Sequence, residues 1–190
     1  MMTLPNVTAR IETDKHSTTI AQRIIALHGI DGSCSNQVFF GAIDFFCTNG
    51  MIRGEHDKVR RKNSSLFSMD RFIMDLRRST QSFYAQSERL QSWARKPLVY
   101  TDVRNMLHTL MKSERVGDKM LGLYADEAKT RGHNAWALYS AFTNFSSHAN
   151  DNGFQLRNTG KDTAAVSMFN REHTVSRWID SKPFKELLAA

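Results

Sequence analysis

Nine cations on two segments are the residues whose types and spacing best suit a chemistry here, and that chemistry is contact with phosphates. Arg71, Arg78, Arg89 and Lys96 follow one another at intervals of 7, 11 and 7 residues. At about 100° per residue they fall within roughly 20° of one line along a helix, with Asp75 as the main acidic interruption. Arg53, Lys58, Arg60, Arg61 and Lys62 form a second cluster, opposed only by Glu55 and Asp57. Clustered cations displace the counterions of a polyanion and so supply affinity without reading bases. The same residues would also serve as a solvated helix face and a charged edge strand that discourages aggregation.

Other reactive residue types read as structure. His28, Asp31 and Ser33 contain the residues of a hydrolytic triad, but within one turn they cannot align base, nucleophile and orienting acid around an oxyanion hole. Asp-Gly beside Ser is ordinary turn chemistry. Cys34 and Cys47, with His28 or His56, lack any C-x-x-C knuckle and stand at opposite ends of one predicted strand, so no metal site is expected. Both cysteines are expected to be free thiols. Trp136, Tyr139, Phe142 and Phe145 recur every three residues on a segment that carries no Lys or Arg from Asn134 to Asn150. Such a stripe belongs in a core, because rings that stack on bases need a basic surface around them. His148 then falls near the end of the same stripe, where a satisfied helix-terminal histidine rather than a catalytic one is expected.

The elements that must position these residues change period once. Residues 1–17 read as an edge strand or tail, with Pro5 arguing against a central position. Thr18 to Leu27 is a β-branched run, closed by the turn His28 to Gly32. A second run from Gln37 to Cys47 completes a long-looped hairpin, with a bulge expected at Gly41. After the turn at Asn49-Gly50, His56 to Lys62 alternates as a short basic third strand or arm. From Ser68 the pattern becomes helical. One long helix carries Leu76, Phe83 and Leu90 and ends after Lys96, where Pro97 stops it. Thr101 or Asp102 should cap the next, with Val103, Leu107, Leu110 and Met111. A third runs from about Glu114 to Thr130 with Gly132 after it, a fourth from Asn134 to His148, a fifth from Asp162 to Asp180, and Pro183 opens a final short turn. The fold expected is α+β, a small antiparallel β-hairpin or sheet packed against a bundle of about five α-helices. It is expected as a single domain over 1–190, with 1–67 the β-rich hairpin and basic arm and 68–190 the helical part.

The chain has 190 residues, 26 Lys+Arg against 19 Asp+Glu, and 41% hydrophobic residues. A chain of this size buries roughly 70% of its unfolded surface and needs no metal or disulfide to hold a core. A net charge of +7 and a pI near 9.6 favour polyanionic partners. No run approaches the ~20 apolar residues of a membrane span, and no secretory leader is read at the start, so a cytoplasmic protein is expected.

Two blocks carry a resemblance. His28-Gly29-Ile30-Asp31-Gly32-Ser33, followed by Phe46-Cys47-Thr48-Asn49-Gly50-Met51, resembles the "S-H-D-G-S … V-x-C-x-N-T-L" core of the phage/plasmid-like family of domain of unknown function 932. Trp136-Ala137-Leu138-Tyr139-Ser140-Ala141-Phe142-Thr143-Asn144-Phe145 with His148 is similar to that family's "W-x-x-Y-N-A-x-T-E-Y-x-x-H" helix, with Asn144 in place of the acidic residue. Cys34 stands where that family has small residues. The resemblance spans roughly residues 20 to 150 and implies the C-terminal half of the family's domain. It implies a phage- or plasmid-type accessory protein of a bacterial host cytoplasm. The function expected is non-enzymatic nucleic-acid binding through the nine cations, with DNA as the partner, in recombination or single-strand handling. The alternative is a protein–protein interaction module that modulates a host or phage complex or forms a homo-oligomer. No carboxylate cluster, phosphate-cradling glycine loop or nucleophile motif favours an enzyme, and no cofactor is expected.

Overall fold

The structure is a computed structural model that describes residues 2–27, 36–44, 50–52, 58–61, 69–154 and 164–190. Five antiparallel strands form one sheet: β1 (Met2–Glu12), β2 (Ser17–Leu27), β3 (Asn36–Asp44), β4 (Gly50–Ile52) and β5 (Lys58–Arg61). β1 is an edge, β2 lies between β1 and β3, and β4 and β5 share the far side of β3 end to end. The tight β1–β2 hairpin was not legible, because Asp14-Lys15 lacks the glycine that usually marks such a turn. Here Thr13 N–H donates to the His16 carbonyl at 2.8 Å, and His16 N–H donates to Thr13 Oγ1 at 3.0 Å. Pro5 falls in the stretch between Thr3 and Thr8 where the β1–β2 register shifts, a place that tolerates a missing donor. The bulge expected at Gly41 is absent, since β2 and β3 pair without a register break from Ile20↔Asp44 to Leu27↔Gln37. Gly41 instead follows the point where β3 changes partner, from β5 at Phe39 to β4 at Gly41.

Among the described residues six helices follow: α1 (Met69–Ala94), α2 (Tyr100–Met111), α3 (Glu114–Arg131), α4 (Ala135–His148), α5 (Ala164–Ile179) and α6 (Lys182–Ala189). α1 ends before Lys96, two residues earlier than its charge pattern suggests. Pro97 disfavours helical backbone at the residue before it, and the 96–98 segment bonds elsewhere. Ala135 N–H donates to the Lys96 carbonyl at 3.0 Å and Leu98 N–H to the His133 carbonyl at 3.0 Å, a short β-bridge that ties the end of α1 to the α3–α4 junction. α2 starts at Tyr100 with Val99 as N-cap and no side-chain cap, so neither Thr101 nor Asp102 caps it. Gly132 terminates α3 at φ 83°, a backbone conformation suited to glycine. Asn134 caps α4, its side chain accepting from Ala137 N–H at 2.8 Å. Pro183 sits in the first turn of α6, which is a helix rather than a single turn.

Ile11, Ile20 and Ala42 of the sheet join one apolar cluster with residues from all the helices around α4. α4 is the innermost helix, packed against α1, α3, α5 and β4. Trp136, Tyr139 and Phe142 are buried as their stripe predicts, and Phe145 is half-buried. This position explains why α4 carries no Lys or Arg: each would need a buried partner. Edge-on aromatic contacts fasten the bundle, with Trp93 of α1 5.3 Å from Tyr139 and 5.4 Å from Phe184 of α6. Phe142 lies 5.3 Å from Trp178 of α5. Because Phe142 is 0% exposed, Phe142→Ala should cost about 3–5 kcal/mol through the cavity it leaves. Thermal denaturation followed by circular dichroism measures this, and a melting temperature equal to that of the parent would refute the packing.

Candidate nucleic-acid interface

The charges divide into two populations, one buried inside the fold and one left outside it. On the inside, Arg23 of β2 pairs with Glu172 of α5, both fully enclosed. Burial pushes the Glu172 carboxyl above the usual carboxylate range, opposed by the charge and hydrogen bond of Arg23. Arg131 of α3 donates from Nη2 to Asp44 of β3 at 2.9 Å and from Nε to Glu127 at 2.9 Å. Asp44 also accepts from Thr18 Oγ1 at 2.6 Å, and Glu127 accepts from Asn144 at 3.2 Å. Asn152 extends the chain, donating to Asn144 at 2.7 Å. Asn144 therefore supplies an amide donor to the Glu127 carboxylate. These groups join sheet and helices. Removing one partner strands the other in a low dielectric, so Asp44→Ala should cost about 3–5 kcal/mol. Chemical denaturation reads the loss, and an unchanged midpoint would contradict a structural role for the pair.

The second population lies on the outer face of α1. Arg77, Arg78 and Arg89 are exposed there, and Arg95, the first residue beyond the helix, is exposed at its end. Residue positions at 100° intervals place Arg78 and Arg89 on one line and Arg77 and Arg95 on another roughly 100° away. Gln81, Ala85 and Ser92 lie between the lines, so the cations form two rails rather than one stripe. Among the described residues none of these four arginines is ion-paired. Asp70 and Glu88 are the exposed acids of the face. Met74, 63% exposed, lies one turn before the Arg77–Arg78 pair, and Tyr84, 45% exposed, lies about two turns after it and one turn before Glu88. The Arg89 guanidinium sits 4.6 Å from the centroid of the Trp93 ring, which holds it flat against the helix.

The expected phosphate contacts are thus placed unevenly. Arg78 and Arg89 lie together on the face. Lys96 does not, because it follows the helix end and is half-buried, its carbonyl engaged in the bridge to Ala135. Arg71 is on the first turns of α1, and Lys58, Arg60 and Arg61 are on β5 at the edge of β3, with only their backbones described. Arg53 and Lys62 lie outside the described residues, as do His28, Asp31, Ser33, Cys34, Cys47 and His56. Arg77 and Arg95 were missed because a search for a single line discards the second rail. Among the described residues no group of three or more His, Cys, Asp or Glu could hold a metal ion. His148 ends α4 and lies 3.6 Å from Asp151, the helix-terminal arrangement expected of it. Among the described residues no helix is long and apolar enough to cross a membrane.

Sheet and helix bundle together define an α+β protein with an arginine-rich outer helix. The model of the family described as Domain of unknown function (DUF932) matches residues 5–174, from β1 into α5, and the chain belongs to that family. The match reaches beyond both motif blocks. No curated protein and no solved structure matches the chain.

Proposed function

We propose that this is a non-enzymatic nucleic-acid-binding protein whose contact surface is the outer face of α1, acting as a phage- or plasmid-type accessory protein in the cytoplasm of a bacterial host. The observation that carries the reading is the set of four exposed arginines, none used in an internal ion pair, along one helix face. Exposed arginines without a carboxylate partner can each take a phosphate, and a polyanion that binds them gains affinity by releasing its counterions. From Arg77 to Arg95 the face is about 27 Å long at 1.5 Å per residue, enough for several successive phosphates. The exposed Tyr84 ring, between the Arg77–Arg78 pair and Arg89 along the helix, favours single-stranded over duplex DNA, since an exposed ring offers a stacking platform to unpaired bases. Recombination or single-strand handling is the activity class that fits. The exposed apolar residues Ile73 and Met74 on the same face favour a second reading, a protein-interaction module.

A salt series separates the two readings. On single-stranded DNA, log K should fall with log[salt] with a slope of about −0.7 per phosphate contact. Replacing Arg77 and Arg78 together with Ala should flatten that slope by about 1.4, and should leave the melting temperature within about a degree because exposed cations add little to folding. Absence of binding to either DNA form near ~50 mM salt, where counterion release is strongest, would exclude the nucleic-acid reading.

A further inference from the structure

The end of the α1 face opens into a cleft of about 690 Å³, bounded by the β1–β2 turn, the C-terminal end of α1 and the α3–α4 junction. A volume in this range suits one small-molecule-sized group. Arg95 lines it and also ends the Arg77 rail, so surface and cleft are continuous through one side chain. Lys15 enters from the hairpin turn. Gly132 lines the cleft beneath it, and its φ of 83° is a backbone conformation that other residues adopt only with strain.

Most polar groups of the cleft are already engaged. Arg131 answers Asp44 and Glu127, and Asn134 caps α4. Gln91 brackets Glu12, accepting from its N–H at 2.8 Å and donating to its carbonyl at 2.9 Å, while the Glu12 carboxylate faces Arg10 at 3.2 Å. The charged groups left without an ion pair among the described residues are Arg95, Lys15 and Asp14. His133 adds an imidazole to the lining. Burial pushes the Tyr124 phenol up to about 12, with Tyr100 adding to the shift, so Tyr124 stays neutral 3.3 Å from His133 Nδ1. An imidazole that accepts there carries its proton on Nε2.

We propose that this cleft receives the phosphorylated end of a nucleic-acid strand, with Arg95 and Lys15 on the terminal phosphate and Asp14 accepting from a sugar hydroxyl or base amine. The inference rests on the nucleic-acid reading of α1. A terminal phosphomonoester carries up to about two negative charges at neutral pH, where an internal phosphodiester carries one. Two cations without an ion pair on the rim of one cleft, Lys15 and Arg95, therefore prefer the end to the middle of a strand, and an arginine can hold two of its oxygens at once.

The test compares one single-stranded DNA sequence with a 5′-phosphate, with a 3′-phosphate, with neither, and closed into a circle, using fluorescence anisotropy on the full chain. The phosphorylated linear strand should bind about tenfold or more tightly than the unphosphorylated one, the scale of a charge-assisted contact pair. The polarity that gains identifies which end enters. Lys15→Ala should bring the ratio towards one, whereas Arg78→Ala should weaken all forms alike and keep it. A nucleoside 5′-monophosphate should compete for phosphorylated ends and not for the circle. Equal binding of all four DNA forms by the parent protein overturns the cleft assignment and leaves the α1 reading standing. Absence of binding to any form overturns both. Competition by the mononucleotide without any end preference assigns the cleft to free nucleotides and overturns the strand-end proposal.

Discussion

The ion pair between Asp44 and Arg131 is the constraint on which the arrangement of the molecule depends. Asp44 ends the strand at the middle of the sheet, and Arg131 ends the helix that leads into α4. The guanidinium also lies 5.3 Å from the centroid of the Trp136 ring, so one side chain fixes the sheet, the α3 terminus and the first turn of α4 together. The Arg131 carbonyl accepts from Asn134 Nδ2 at 2.7 Å, and the same Asn134 caps α4. Once that corner is set, the bridge of residues 96–98 to 133–135 fixes where α1 stops and which way its outer face is turned. A buried pair of this kind contributes little net stability compared with an apolar substitute. It does impose one geometry, because any other packing leaves a charge without a partner in the core.

Much of the fold was legible because period and punctuation agree. The switch from period two to 3.6 after Ser68 separates sheet from bundle. Gly132 and Asn134 mark the stop of α3 and the start of α4, and the aromatic stripe of α4 is core. What was not legible depended on tertiary partners. Asp14-Lys15 gives no strong turn signal, and β4 has only three residues, too few to show a period. The N-terminus of α2 is held by packing, with no capping side chain to reveal it. The central charges were visible but went unread. Arg23 stands alone in TTIAQRIIAL and Asp44 alone in QVFFGAIDFFC, and a solitary charge inside an apolar strand signals a buried partner. Which partner could not be read, since Glu172 and Arg131 lie far along the chain.

The candidate surface was half legible for a related reason. Arg78 and Arg89 are found by spacing alone, but Arg77 and Arg95 gain meaning only when the buried side of α1 is known. Phe83, Leu90 and Trp93 define that side, and among the described residues those opposite them on the helix are exposed. Lys96 fails because helix length is decided by Pro97 and by a bridge to a segment nearly forty residues later. The fold thus sorts its arginines: Arg23 and Arg131 are neutralised inside, and Arg77, Arg78 and Arg89 on α1 have no ion pair among the described residues. That sorting, more than net charge, is what the functional proposal uses.

Photocrosslinking tests the central claim most directly. Single-stranded DNA carrying bromodeoxyuridine, irradiated with the intact protein and digested with trypsin, should yield its main adduct on the peptide from Ser79 to Arg89, at Tyr84, which stands exposed beside the rails. Adducts confined to other peptides, with none on α1, would contradict the account.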